Sequence, residues 1–404
     1  MPGRKTVLFV QHYPDGGSIT GLLDLIRGLD PDRYRPVVSF RTPNPFVPEF
    51  EAAGIPVVVL DPEALPDPLA ARPPDRAPRR THSSPVRREV RRLLRRDLPA
   101  ARRLRRVIHD HDVDLVHANN DVLSNRDAIL AAMVTLRPVV VHVRWLHTYE
   151  NDATLRIDKA LARRPAQFFF MSQAVADGCR PLEIPAERQV VLDDPFHVAD
   201  YDVVVPPGLA AELAIPAGGR VVLHVGRIIP WKGQDVFLRA MATVLLADPD
   251  AVGLLVGSPT DLSGRRFLAQ LKALAADLGI GHRIVFAGSR RDVPRLIALS
   301  EVVVHCSTTP EPFGRVVVEA MAGGRPVIGA DAGGVPEIIH PGVTGLLVAP
   351  GDHEQLGVAI SGLLADPDEA AALGRRAREA VADRFTIEAH GDTVQAAYDE
   401  VLSA

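Results

Sequence analysis

Short runs of β-branched and other apolar residues alternate with longer segments of helical periodicity along most of the chain. Val7–Val10, Pro36–Phe40, Val57–Leu60, Leu115–His117, Val139–Val143 and Phe168–Met171 read as strands of a first parallel sheet. Arg220–Val225, Val252–Val256, Ile284–Ala287, Val302–His305, Pro326–Ile328 and Gly345–Val348 read the same way in the second half. Runs this apolar, without polar alternation, suit strands covered by helices on both faces. Strand–helix alternation twice over predicts an α/β protein of two doubly wound, Rossmann-like domains. Val205-Pro-Pro-Gly208 breaks the pattern, so the domains are expected over 1–200 and 201–385, with the change near Asp200–Pro216. Thr386–Leu402 reads as a helix that packs back on the first domain, making 386–404 a separate terminal piece. Ligands of such sheets bind beyond the carboxyl ends of the strands. The loops after Val10, Val143, Val225, Val256, Ala287 and His305 are therefore where chemistry is expected, along with a cleft between facing sheets.

A chain of 404 residues is too long for one core, and 47% apolar with 24% charged residues is the balance of a globular protein. That excludes disordered, collagen-like and disulfide-framework classes. Cys179 and Cys306 lie far apart and offer no metal-ligand spacing. No apolar run approaches the ~18–20 residues of a membrane span. Val7–Val10 is too short for a signal-peptide core, so a cytoplasmic location is expected.

Charge is unevenly spread. The net charge is −4, yet fourteen arginines stand against Asp75, Glu89 and Asp97 between Arg72 and Arg106. Asp61–Pro85, with seven prolines, reads as a loop. A helical pattern follows, with Val86, Val90, Leu93, Leu94, Ala101, Leu104, Val107 and Ile108 on one stripe. Pro99 is expected to split it, with Asp97 capping the second piece. The arginines of the basic segment 61–106 then form either a solvated helix face or a surface for an anionic membrane, which would add peripheral contact at the inner membrane face. Neither aromatic interleaving nor an RNA-binding motif accompanies them, so no nucleic acid is expected.

Two segments carry candidate chemistry. Val221–Gly226 is followed by Arg227 and Lys232, in a loop shaped by Pro230 and Gly233 before a helix from Gln234 to about Ala247. Cations at the carboxyl end of a strand beside a helix start suit a phosphate or diphosphate, although two solvated surface cations would look the same. Only four of the 46 basic residues are lysines, which sets Lys232 apart. The second segment is the strand Val302–Cys306, the loop Ser307–Arg315 and a helix from about Val316 to Ala322, closed by Gly323-Gly324. Glu311 precedes this helix and Glu319 lies inside it, so both can face one ligand resting on the helix start, where the N–H groups from Phe313 to Val317 offer donors to an anion. Carboxylates there are poor phosphate ligands but good acceptors for hydroxyl groups, as on a ribose and a sugar. E-x₇-E alone is weak, and gains specificity from its place between a strand and a glycine-bounded helix.

Gly226-Arg227…Lys232-Gly233 and Glu311-Pro-Phe-Gly-Arg-Val-Val-Val-Glu319-Ala-Met-Ala-Gly-Gly resemble the retaining, nucleotide-sugar-dependent glycosyltransferases of family four. Gly333-Gly-Val-Pro-Glu337 and Gly342-Val-Thr-Gly continue the match, which is close from Val221 to Asp352 and looser before. The resemblance implies a GT-B fold with the donor held mostly by the second domain. It implies that Arg227 and Lys232, beside Gly226, bind the donor diphosphate, Glu311 the transferred sugar and Glu319 the ribose. Backbone amides of Phe313, Gly314, Arg315 and Val316 would meet sugar and phosphates, and the loop from Ser289 the base. Asp15-Gly16-Gly17-Ser18 matches the family's glycine-rich loop near the reacting centre, and is also ordinary turn chemistry.

Two positions depart from the family. Aligned on Pro138, the slot of a family histidine holds Arg144, which suits positioning the sugar better than moving a proton, while His142 reads as a core residue. Leu192-Asp193-Asp194-Pro195 stands where many relatives carry Asn-Gly. His117, Asn119 and Asn120 end a strand on the acceptor side, where they serve either an acceptor or the cap of the next helix.

A nucleoside diphosphate leaving an anomeric carbon develops negative charge where Arg227, Lys232 and the helix start lie. No Asp-x-Asp pair lies near these loops, so metal-independent transfer is expected, with no metal site and no cofactor beyond the donor. The expected reaction moves a hexosyl or N-acetylhexosaminyl group from a nucleotide sugar to an acceptor hydroxyl. A UDP-sugar is favoured and GDP-mannose also fits. Retention is implied by the resemblance, as is front-face attack, and a double displacement stays open. The acceptor stays open among small molecules, lipid-linked sugars and polysaccharides. Rival readings are a nucleotide-sugar epimerase of the same fold and a non-catalytic nucleotide-sugar-binding protein. An NAD-dependent dehydrogenase is disfavoured by the spacing Gly16-Gly17-x-x-x-Gly21.

Overall fold

The structure is a computed structural model describing residues 3–12, 17–63, 84–146, 152–382 and 384–403. It divides into two compact units, Met1–Phe196 with Ile387–Ala404, and His197–Thr386.

The first unit holds a seven-stranded parallel sheet, β1 (Lys5–Gln11), β2 (Tyr34–Phe40), β3 (Val57–Val59), β4 (Leu115–Asn120), β5 (Val139–Val143), β6 (Gln167–Phe170) and β7 (Gln189–Val191), in the order β3-β2-β1-β4-β5-β6-β7. The order reverses between β1 and β4, the switch point where doubly wound sheets hold ligands. Val7, Phe9, Leu115, Val140 and Phe169 from the sheet pack with Leu22 and Leu25 of helix Gly17–Arg27 and with Val394 and Tyr398 of helix Ile387–Ser403. Each such side chain, fully buried, contributes about 1.5–3 kcal/mol. Tyr34 Oη donates to Asp399 Oδ1 at 2.6 Å, and the Asp30 N–H to Gln395 Oε1 at 2.9 Å, tying the terminal helix to this unit. Strand β7 was not expected: it is three residues long, at the sheet edge, with Val191 half exposed, and carries no apolar run.

The second unit has six parallel strands, β8 (Arg220–Val225), β9 (Ala251–Val256), β10 (Ile284–Gly288), β11 (Val302–His305), β12 (Val327–Ala330) and β13 (Leu346–Val348), ordered β10-β9-β8-β11-β12-β13. Its switch point lies between β8 and β11, paired as Val302 with Val222 and Val304 with His224. The loops leaving these two neighbours are the Arg227–Lys232 and Ser307–Arg315 segments, so topology brings together two stretches remote in sequence.

The arginine-rich helix corrects the sequence expectation. Pro85–Arg92, a π-helical turn at Leu93–Asp97 and Leu98–Asp110 follow one another without a break. The wider turn accommodates the donor that Pro99 lacks, so the proline does not split the helix. Asp97 makes no cap; its carboxylate accepts from Arg96 Nε at 2.7 Å and lies 4.0 Å from Arg126. Ala101, Leu104, Val107 and Ile108 are buried as the pattern requires, but Val86, Val90 and Leu94 face outward. The inward positions are Glu89 and Asp97. The cause is Arg126, fully buried on helix Arg126–Thr135, whose guanidinium donates to Asp158 at 2.6 Å and Glu89 at 2.7 Å. An uncompensated guanidinium in the interior costs more than exposing three aliphatic side chains. Most of the expected proline-rich loop, 64–83, lies outside the described residues. Among the described residues no helix is long and apolar enough to cross a membrane.

Candidate functional site

In the second unit the chain leaves β8 through a single tight turn, Pro230–Lys232, and enters helix Gln234–Ala247. Lys232 Nζ pairs with Glu311 Oε1 and lies 4.6 Å over the Trp231 ring. The other carboxylate oxygen of Glu311 is 2.8 Å from His305 Nε2, the last residue of β11. An ionised carboxylate only accepts, so His305 donates from Nε2, which Ser307 Oγ also approaches at 3.2 Å. Burial pushes the Glu311 carboxyl up, but the charges and hydrogen bonds of Lys232 and His305 outweigh it and hold the group below the ordinary carboxylate range. Lys232 is anchored from beneath by His224, which donates through Nε2 to the Lys232 carbonyl at 3.1 Å. Burial lowers His224 to about 4, so it is a neutral support.

Glu311 is also fixed by its backbone. It bridges to Gly333, and the Gly334 N–H donates to its carbonyl at 2.8 Å. Gly333 has a φ of +68°, and a Cβ there would lie 2.1 Å from the Glu311 carbonyl oxygen, so only glycine permits the approach. Gly314 opens helix Arg315–Ala322 at a φ of +109°, with no side chain capping it. Glu319, in that helix, is partly buried; burial pushes its carboxyl up against the opposing pull of Arg315, Lys232 and a Tyr201 hydrogen bond. Phe313 is buried, edge-on to Phe385, while Val316 is partly buried on the first turn of the helix. Arg227 is partly buried, its carbonyl accepting from Gln234 Nε2 at 2.8 Å, and the Gly226 N–H donates to the Val256 carbonyl at 2.9 Å. Ser289 is exposed, just past the end of β10.

The structure thus joins Lys232, Glu311 and His305 in one cluster. The sequence reading passed over His305; its signal was a single polar residue closing an otherwise valine strand.

In the first unit the polar residues at the ends of β1, β4 and β5 form one buried network. Arg144 donates from Nε to Asn119 Oδ1 at 2.6 Å and from a terminal nitrogen to His142 Nδ1 at 3.3 Å, and pairs with Asp194. Asn119 and Asn120 both donate to Gln11 Oε1, at 2.5 and 3.0 Å. Asn120 has a φ of +116°, a strained conformation at the carboxyl end of a central strand. Asn119 thus bonds Gln11, Ser18 and Arg144 and Asn120 bonds Gln11, and no side chain caps helix Arg126–Thr135. His117 lies inside the sheet packing, sharing a 2.6 Å hydrogen bond with Tyr398, and burial followed by the nearby Arg144 keeps its pKa well below the usual value. Gly17 is the exposed first residue of its helix, whereas Gly16 lies outside the described residues. The two departures noted in the sequence, Arg144 and Asp194, are thus partners of one ion pair. Gly21 makes room for it: a Cβ there would lie 2.8 Å from the Arg144 guanidinium and 2.9 Å from the Asp194 carboxylate.

Fold and site define a two-unit, doubly wound α/β protein with charged clusters at its switch points. Residues 16–194 match the glycosyl transferase 4-like domain family, and residues 209–380 match glycosyl transferases group 1. A D-inositol 3-phosphate glycosyltransferase of Nocardia farcinica is 32% identical over 290 residues, 65% of this chain and 61% of that protein. A GDP-mannose-dependent alpha-(1-6)-phosphatidylinositol monomannoside mannosyltransferase of Mycolicibacterium smegmatis is 34% identical over 173 residues, 41% of this chain and 44% of that one. The matches therefore span between two fifths and two thirds of these relatives. A crystal structure of Anabaena Alr3699/HepE in complex with UDP and glucose superimposes with a TM-score of 0.80 at 27% identity, covering 97% of this chain and 99% of that one. Sucrose-phosphate synthase of Thermosynechococcus elongatus, at 23% identity and a TM-score of 0.79 over 99% of this chain and 100% of that one, shares the fold. The chain belongs to the family-four glycosyltransferases of GT-B fold.

Proposed function

We propose that the chain transfers a hexosyl or N-acetylhexosaminyl group from a nucleotide sugar to an acceptor hydroxyl, with retention, and with no metal or cofactor beyond the donor. The observation that carries this reading is the Lys232–Glu311–His305 cluster at the switch point of the second unit. Lys232 pairs with Glu311. A donor diphosphate competes for that cation, and the carboxylate, still held by His305, is released to accept a sugar hydroxyl. As the bond from the anomeric carbon to the diphosphate breaks, Arg227 and Lys232 take up the charge on the leaving oxygen. The acceptor oxygen bonds to the same carbon from the same face, and its proton passes to the departing phosphate. Arg144, with its guanidinium tied to Asn119, His142 and Asp194, serves as a positioning residue on the acceptor side rather than a proton carrier. Uracil is the favoured base because the 27% identical HepE was crystallised with UDP and with glucose. The mannosyltransferase among the relatives keeps GDP-mannose as the second reading.

The test is to incubate the protein with UDP-glucose, UDP-N-acetylglucosamine or GDP-mannose and an acceptor panel including D-inositol 3-phosphate, with and without chelator. Nucleotide release and the product anomer are followed by NMR. A retained anomer formed in chelator is expected. Glu311→Gln should lower turnover about 10²-fold or more while keeping UDP binding; unchanged turnover removes Glu311 from the site.

A further inference from the structure

The terminal helix, Ile387–Ser403, carries a polar side chain into the buried network at the strand ends of the first unit. His390 is 4% exposed, and its Nδ1 donates to the Asp193 carbonyl at 2.9 Å. Asp193 immediately precedes Asp194, the carboxylate partner of Arg144. The His390 ring also lies within 18° of parallel to the ring of His142, with centroids 6.2 Å apart, and His142 Nδ1 accepts from the Arg144 guanidinium at 3.3 Å. Two supports of Arg144 therefore meet at one residue. The backbone fixes the height of this helix. A Cβ at Gly391 would lie 2.1 Å from the Gly28 carbonyl oxygen, and one at Gly28 would lie 2.7 Å from the Ile387 carbonyl oxygen. Gly28 follows helix Gly17–Arg27, in which Gly21 makes room for Arg144 and Asp194. First helix, terminal helix and ion pair interlock.

Packing alone does not call for a histidine here. Burying an imidazole is costly, and among the described residues its Nε2 has no hydrogen-bond partner. A leucine would fill the space without that cost, so what the ring adds is the N–H on the Asp193 peptide. That peptide needs an anchor. Asn119 and His142 hold Arg144 from strands β4 and β5, whereas Asp194 holds it from a loop beyond the three-residue edge strand β7. We propose that His390 is a positioning residue for glycosyl transfer: it pins the Asp193–Asp194 backbone, so that the Asp194 carboxylate keeps the Arg144 guanidinium in one place. The inference rests on the acceptor-side reading of Arg144 given above. A displacement of about 1 Å at a positioning group can lower a rate about a hundredfold.

The test compares His390→Leu, which keeps the bulk and removes the donor, with His390→Asn, whose amide nitrogen stands near the place of Nδ1. One readout is the proton–nitrogen NMR signal of the Arg144 Nε–H, assigned by its loss in Arg144→Lys. The other is the kinetics with the donor and acceptor of the panel above that the wild type uses fastest, with water as acceptor where no other is used. His390→Leu should move the Arg144 signal and lower kcat/KM for the acceptor at least about tenfold, while the thermal shift with nucleotide is kept. His390→Asn should restore most of both. An unmoved signal or wild-type kcat/KM in His390→Leu overturns the proposal, and so does an asparagine no better than leucine, which would assign the ring to packing. Should His390→Leu fail to fold, His390→Gln, with its donor carried one bond farther out, takes its place with the same outcomes. Wild-type kinetics in Arg144→Lys would refute the acceptor-side reading itself. A wild type that releases nucleotide from no donor would refute the transferase reading, and the Arg144 signal would still decide the positioning.

Discussion

Replacing Asp194 by asparagine takes a carboxylate partner from the buried Arg144 guanidinium. Both side chains are essentially inaccessible, at 1% and 0%, so solvent does not screen the loss. Breaking one half of a buried pair costs about 3–5 kcal/mol. For a folding unit of this size, at about 2–4 °C per kcal/mol, the melting temperature should fall by roughly 10 °C. Arg144→Met takes the guanidinium from the Asp194 carboxylate instead and should cost a similar amount. The double variant Arg144→Met/Asp194→Asn removes both charges and should recover at least about 2 kcal/mol of the summed losses, since a neutral replacement of a buried pair is nearly free of the desolvation penalty. Urea unfolding of the four proteins gives the coupling energy directly. Losses that add to within about 0.5 kcal/mol would show that the two residues do not act as a pair, and the reasoning would fail.

Acid should destabilise both units. Burial lowers His224 and His390 to about 4, and drives His117 and His142 well below the ordinary histidine value. The unfolded chain takes up these protons near pH 6.5, so stability present at pH 7 is lost as pH falls toward 4, at about 1.4 kcal/mol per pH unit for each histidine. A urea midpoint that does not move between pH 7 and 5 would contradict this, and His390→Gln should flatten the slope. Gly333→Ala, forced against the Glu311 carbonyl at a φ of +68°, should cost about 1–3 kcal/mol and depress turnover with it, as thermal melts and nucleotide release would show. Arg227→Ala/Lys232→Ala should abolish detectable donor cleavage; near-normal release of nucleotide would remove both from the diphosphate site.

The strands were legible where the chain writes them as short runs rich in valine, as at Val139–Val143, Arg220–Val225 and Val302–His305. Gln189–Val191 was not, because an edge strand of three residues needs no buried run. The stripe Val86–Leu94 misled for a different reason. Periodicity assumes that apolar residues turn inward, and a buried arginine 37 residues away from Glu89 overrode that preference by claiming the carboxylate. In the second unit Lys232 and Glu311 were each visible beside a strand end, but their contact spans 79 residues and only the β8–β11 pairing creates it. Arg144 and Asp194 looked like two unrelated departures because nothing local links positions 50 residues apart.

The central claim is that the second-unit cluster holds a nucleoside diphosphate without a metal. A thermal-shift panel of UDP, GDP, ADP and NAD with excess chelator tests it most directly, run on the wild type and on Lys232→Ala. A ligand at about 100 times its dissociation constant stabilises the fold by about 2.7 kcal/mol, a shift of several degrees. UDP, or GDP in the second reading, should produce that shift in chelator, and Lys232→Ala should lose it. A shift with NAD alone, with no nucleotide, or only when metal is restored would contradict the account.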